Sequence, residues 1–138
     1  MHDKRIEIRW RDLDAYGHVN NSVFLTYLEE ARDEWLGRVF GTTGALADYV
    51  VARVAIDFRK ELREADGHVT VRCRIERTGV SSLTTRETIL MTDGSVAAEA
   101  EVVLVMRNRG SSRSRPITPE ERAALVGETN GSGAQAPR

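Results

Sequence analysis

The chain has 138 residues, enough for one domain with a core of its own. Apolar residues make up 41% and charged residues 30%, which excludes a disordered or fibrous class. Twenty basic and twenty-one acidic side chains leave a formal net charge of −1, so the composition points to no nucleic acid, and no run approaches the ~20 apolar residues of a membrane span.

In residues 5–11, Ile6, Ile8 and Trp10 alternate with Glu7, Arg9 and Arg11, the pattern of a half-buried strand. Asp12 to Asn21 is dense in turn formers and reads as a loop. From Ser22 to about Val39 the period changes. Phe24, Tyr27, Leu28, Ala31, Trp35 and Val39 share one helical face, while Glu29, Glu30, Arg32, Asp33 and Glu34 fill the rest. Asn20, Asn21 and Ser22 are all suited to cap the start of this helix, and Gly37 and Gly41 mark its end.

After a Gly/Thr connection, alternation returns. Strands are expected over 52–58, 69–75, 82–91 and 96–106, with Asp93-Gly94 as a tight hairpin turn. Cys73 falls on an apolar strand face, the place of a small core residue, and one cysteine builds no disulfide within the chain. Residues 107–115 carry four arginines among Ser, Asn and Gly and read as a turn or mobile loop. Thr118 and Pro119 open a short helix to Val126. Residues 128–138 show no periodicity and are expected to be disordered, leaving 1–127 as a single domain. The N-terminus carries no apolar signal core, which predicts a cytoplasmic protein.

This order predicts an α+β fold, a five-stranded antiparallel sheet wrapped around one long central helix, plus a short C-terminal helix. The strand near 50–60 falls at a sheet edge and invites a second copy, so a homodimer is expected.

Chemistry concentrates in the loop before the helix. Asp12, Asp14, Gly17, His18, Asn20 and Asn21 lie within ten positions. A carboxylate can attack a carbonyl or activate water, and a helix N-terminus offers free amides to a developing oxyanion. The plainer reading makes Asp12, Asp14 and Asn20 turn and capping residues.

The run Arg9-Trp10-Arg11-Asp12-Leu13-Asp14-Ala15-Tyr16-Gly17-His18-Val19-Asn20-Asn21 continues into Phe24-Leu25-Thr26-Tyr27-Leu28-Glu29-Glu30-Ala31-Arg32. It closely resembles the acyl-CoA thioesterases of the 4-hydroxybenzoyl-CoA thioesterase-like branch of the hotdog fold, and the segment 115–122 extends the likeness. The resemblance implies that Asp14 is the catalytic carboxylate, as nucleophile or general base, with His18 and Asn20 shaping the site. It places the carbonyl-polarising amides at Val19, Asn20 and Asn21. Asp12 is expected to be a structural turn residue. Tyr16 and Phe24 are candidates for the acyl pocket.

Coenzyme A carries phosphates. Arg59 and Lys60, with Arg63 near them, form one candidate cluster, and Arg77 with Ser81 and Ser82 another, both on the strength of the resemblance. The family further implies sites at a dimer interface, with a dimer of dimers also open. Coenzyme A would enter as part of the substrate, with no separate cofactor. Three scattered histidines make no metal-ligand spacing, and Ser81-Ser82 lacks the context of a serine hydrolase. The rival readings are an acyl-carrier-protein thioesterase of the same fold and a non-catalytic acyl-CoA-binding hotdog protein. A hydratase of that fold fits less well, because Asp14 and His18 are one residue too close and no proline lies between them.

Overall fold

In the computed structural model, residues 1–41, 48–108 and 110–135 are described. Five strands, β1 (His2–Glu7), β2 (Tyr49–Phe58), β3 (His68–Thr78), β4 (Ser82–Leu90) and β5 (Val96–Met106), form one antiparallel sheet in the order β1-β3-β4-β5-β2. Helix α1 (Asn21–Gly41) lies on its concave face and α2 (Pro119–Gln135) follows the last strand. The expected 42–47 connection, Arg109 and the end of the tail, 136–138, lie outside the described residues.

The curl of the sheet has a local cause. Ala52, Glu76 and Ala97 are extra residues at breaks in the β2/β5, β3/β4 and β4/β5 registers. A bulge of this kind bends its strand and increases its twist. The Ala97 carbonyl accepts the amides of both Arg59 (2.8 Å) and Lys60 (3.1 Å), so the chain leaving β2 is tied to the bulge.

The apolar stripe of α1 is buried as the periodicity predicts, with Tyr27, Leu28, Ala31 and Trp35 packed against Val69, Val71, Cys73, Ile89, Ala100 and Val102. Cys73 is fully buried, and burial pushes its thiol well above the usual range, as befits an inert core residue. Gly37 lies inside the helix rather than at its end.

Three further expectations need correction. Trp10 does not extend the β1 face. The strand stops at Glu7, and Trp10 begins a short 3-10 turn (Trp10–Asp12) with 77% of its surface exposed. Arg32 is not on the solvent face. It is buried in the core, donating through Nε and Nη2 to the two carboxylate oxygens of Glu87 on β4, both at 2.9 Å, with Thr85 Oγ1 donating to the same carboxylate at 2.7 Å.

The third correction concerns the tail, which is helical as far as Gln135. Glu128 Oε1 accepts from the Trp35 indole at 2.8 Å and from the Met1 ammonium at 2.9 Å. These tertiary contacts fasten α2 to α1 and outweigh a poor helical composition. The start of α2 follows the sequence: Thr118 and Glu121 form a reciprocal capping box, and Arg115 grips Glu121 through two nitrogens.

Arg32→Leu or Glu87→Leu alone is expected to lower unfolding free energy by about 3–5 kcal/mol, because each strands a buried charge. The double replacement should recover much of that loss, which urea denaturation of the three variants measures.

Candidate active site

The loop between β1 and α1 is a small closed turn. Asp14 N–H donates to the His18 carbonyl (2.8 Å), Gly17 N–H returns to the Asp14 carbonyl (3.1 Å), and Leu13 and Val19 bridge at its base. Gly17 has φ +78°, a left-handed conformation that favours glycine. Asp14 Oδ1 accepts the amides of Tyr16 (2.9 Å) and His18 (3.2 Å). Its second oxygen, Oδ2, has no hydrogen-bond partner among the described residues. One carboxylate therefore combines the two readings, with one oxygen holding the turn and the other open.

Asp12 anchors this loop to the helix. Its Oδ2 accepts from the Tyr27 hydroxyl (2.6 Å), the Arg9 amide (3.0 Å) and the Arg9 guanidinium (3.3 Å). Burial on its own would raise this carboxyl, but the Tyr27 and Arg9 hydrogen bonds hold it below the usual aspartate value. The structural role expected of Asp12 is the one its contacts describe.

Asp14 faces a cavity of about 500 Å³ lined also by His18, Val19, Asn20, Asn21, Phe24, Phe58, Arg59, Lys60 and Glu61. Phe24 and Phe58 meet edge to face with centroids 5.2 Å apart and supply its apolar wall. His18 Nε2 lies 3.3 Å from Glu61 Oε2. Val19 N–H donates to the Leu62 carbonyl (2.7 Å), which stitches the 59–63 segment to the turn.

The three amides singled out in the sequence are not equivalent. Those of Val19 and Asn20 are engaged by the carbonyls of Leu62 and Asp12. The Asn21 N–H, at the first residue of α1, donates to no acceptor among the described residues. Asn20 caps α1, its Oδ1 accepting the Ser22 amide (2.9 Å) and hydroxyl (2.7 Å), so that oxygen is engaged in structure.

Tyr16 is not in this cavity. It stands at the tip of the turn with 82% of its surface exposed, because Asp14 and Gly17 close the turn beneath it. Arg59 reaches the cavity wall but is shared with Glu99 (3.4 Å) and Asp57 (4.0 Å), whereas Lys60 has no ion pair among the described residues.

The second basic cluster is elsewhere in the chain. Ser82 pairs with Val105 and Thr78 with Leu83, whereas Phe58 pairs with Ala98. Ser81 and Ser82 therefore sit at the opposite end of the sheet, roughly 25 Å away along the strands, and Arg77, level with Val103, roughly 17 Å away. Phe58 and Glu61 were not singled out in the sequence. The signal was there for Phe58, an apolar residue directly before the Arg59-Lys60 pair at the close of a strand.

Among the described residues, no group of three or more His, Cys, Asp or Glu is placed to hold a metal ion, and no helix is long and apolar enough to cross a membrane.

A curled antiparallel sheet around one long helix, with a carboxylate turn at that helix's N-terminus, is the hotdog fold. The sequence matches the thioesterase-like superfamily over residues 8–125; the chain belongs to that family and is a thioester hydrolase. It is 27% identical over 125 residues to the long-chain acyl-CoA thioesterase FadM of Escherichia coli (strain K12), covering 88% of this chain and 94% of that protein. Among solved structures it is similar to a thioesterase from Thermus thermophilus complexed with coenzyme A and Zn, with a TM-score of 0.82, 31% identity and 94% of each chain covered. A probable thioesterase from Escherichia coli, YbaW, superposes with a TM-score of 0.81 at 26% identity, over 94% of this chain and 99% of that one.

The depressed carboxyl of Asp12 sets a pH dependence. A carboxylate whose folded value lies below its unfolded one stabilises the fold above about pH 4, the ordinary aspartate value, and that contribution fades as pH falls through the folded value. Asp12→Asn is expected to cost about 1–3 kcal/mol at pH 7 and to flatten the acid limb, as urea titrations between neutral and acid pH would measure.

Proposed function

We propose that this protein hydrolyses acyl-CoA thioesters to the free acid and coenzyme A, with Asp14 as the reacting carboxylate. The observation that carries this reading is the pairing in one cavity of an open Asp14 Oδ2 with the unengaged Asn21 amide. A thioester carbonyl held by that amide would be polarised by an N–H at the positive end of α1. Asp14 Oδ2 then either attacks the carbonyl carbon or takes a proton from the water that does, and the C–S bond breaks to release the thiolate. In the first route water cleaves the resulting mixed anhydride, so both end in the same acid and thiol. His18, beside Glu61, orients water, and the acyl group packs against Phe24 and Phe58. The relatives named for acyl-CoA hydrolysis and coenzyme A binding support the choice of thioester.

Lys60 and Arg59 at the cavity wall suit the phosphates of coenzyme A, Lys60 more so because it has no ion pair among the described residues. A dimer joins the distant cluster to the site. Among the described residues strand β2 pairs only with β5; its Val50, Val51, Val54 and Phe58 are exposed, and Val51 and Val54 border a cleft with Leu25 of α1. Two β2 edges paired antiparallel across a two-fold axis would turn the second copy's Arg77, Ser81 and Ser82 toward this cavity. The active form is thus a homodimer, working in the cytoplasm.

Thiol release from a panel of short, long-chain and aromatic acyl-CoA esters tests the reading. The wild type should turn over at least one ester, and Asp14→Asn should lose at least about a hundredfold in kcat. Coenzyme ester binding without turnover by either protein would make this a non-catalytic binder. Val54→Asp, which sets a charge on the open edge, is expected to give a monomer by sedimentation and to lose activity with it.

A further inference from the structure

The Asn21 amide is a single donor, and a carbonyl oxygen that becomes an oxyanion can accept more than one hydrogen bond. A second donor helps most when it is oriented before the substrate arrives. The polar side chains around the cavity differ in this respect. Arg59 is shared with Glu99 and Asp57, His18 lies beside Glu61, and Lys60 carries its ammonium on a flexible four-carbon stem. Two neighbouring carboxamides at the start of α1 are left, those of Asn20 and Asn21.

These two are not alike. The Asn21 carboxamide has no hydrogen-bond partner among the described residues, so nothing there fixes its direction. The Asn20 carboxamide is fastened at one end, where Oδ1 accepts both the amide and the hydroxyl of Ser22, at 2.9 and 2.7 Å. A backbone N–H can only donate, so the atom facing Ser22 is the oxygen and not the nitrogen. Nδ2 is thereby turned away from Ser22, and it has no acceptor among the described residues. The cap leaves a donor that is fixed in direction, unused, and one residue from the unengaged Asn21 N–H.

We propose that Asn20 Nδ2 is a second donor to the thioester carbonyl oxygen and that Ser22 keeps it in place. The inference rests on the thioesterase reading and adds to it a catalytic residue, Asn20, and a positioning residue, Ser22. As the tetrahedral oxyanion forms, it accepts from the Asn21 N–H and from Asn20 Nδ2 together. When the C–S bond breaks, the carbonyl re-forms and both contacts weaken. Ser22 touches no substrate and acts through the carboxamide alone.

The test separates the cap from the donor. Serine and aspartate cap helices about as well as asparagine, and neither carries an amide nitrogen. Asn20→Ser and Asn20→Asp should keep wild-type stability in urea denaturation while kcat falls about a hundredfold, the scale of one lost oxyanion donor. KM should change little, because the contact strengthens only in the transition state. Asn20→Ser is the cleaner of the pair, since it sets no second carboxylate beside Asp14. Ser22→Ala should lower kcat about fivefold, the weight of one hydrogen bond on the carboxamide, and Ser22→Thr, which keeps the hydroxyl, should restore it. An unchanged kcat in Asn20→Ser makes Asn20 a cap alone and overturns the proposal. So does a rate loss matched by a loss of stability, or a rise in KM at constant kcat. A wild type that cleaves no acyl-CoA of the panel ends the thioesterase reading and the donor role with it. Equal turnover by wild type and Asn20→Ser ends the donor role alone.

Discussion

The ion pair between Arg32 and Glu87 decides how helix and sheet meet. Beyond Thr85, which donates to Glu87, the core that joins α1 to the sheet is apolar, and apolar contacts alone would tolerate small slides of α1 along the concave face. A two-pronged guanidinium–carboxylate pair at 2.9 Å tolerates none, because any shift leaves charge buried without a partner. With α1 held in place, its N-terminus is held too. The Asn20 amide on the Asp12 carbonyl, the Val19 amide on the Leu62 carbonyl and the Asp12–Tyr27 bond then position the carboxylate turn relative to the end of β2.

The site is assembled from three segments, each fastened by backbone bonds. The turn closes on itself, the 59–63 segment is tied to it through Val19 and Leu62, and the Ala97 bulge holds Arg59 and Lys60 from below. Such a frame fixes side chains without engaging all of their polar atoms. Asp14 illustrates this: Oδ1 is engaged with two amides while Oδ2 is open.

Much of this was legible in the sequence. Period-two and period-three-to-four patterns located four strands and α1, and the loop composition marked the Asp14 region. The first strand lies a few residues earlier than its pattern; β2 alternates in sequence but is exposed along most of its length, so its pattern does not mark a buried face. What escaped depended on contacts between distant residues. Arg32 reads as a surface charge because its partner Glu87 lies 55 positions away. The extent of α2 depends on Glu128 meeting Trp35 and Met1, which no local pattern encodes. Trp10 continues the alternation of Ile6 and Ile8, yet the 3-10 turn rotates it into solvent. Among the amides, only tertiary pairing separates Asn21 from Val19 and Asn20.

The closed turn also bears on how such a protein can diversify. Its base is set by the Leu13–Val19 bridge and its reach by Gly17, so Ala15 and Tyr16 at the tip contribute only backbone to the frame. Substitution there can reshape the surface beside the carboxylate while leaving the carboxylate where it is. A lineage can thus vary two positions without disturbing the turn that holds the carboxylate, the kind of separation between scaffold and variation that keeps a fold in use for many chemistries.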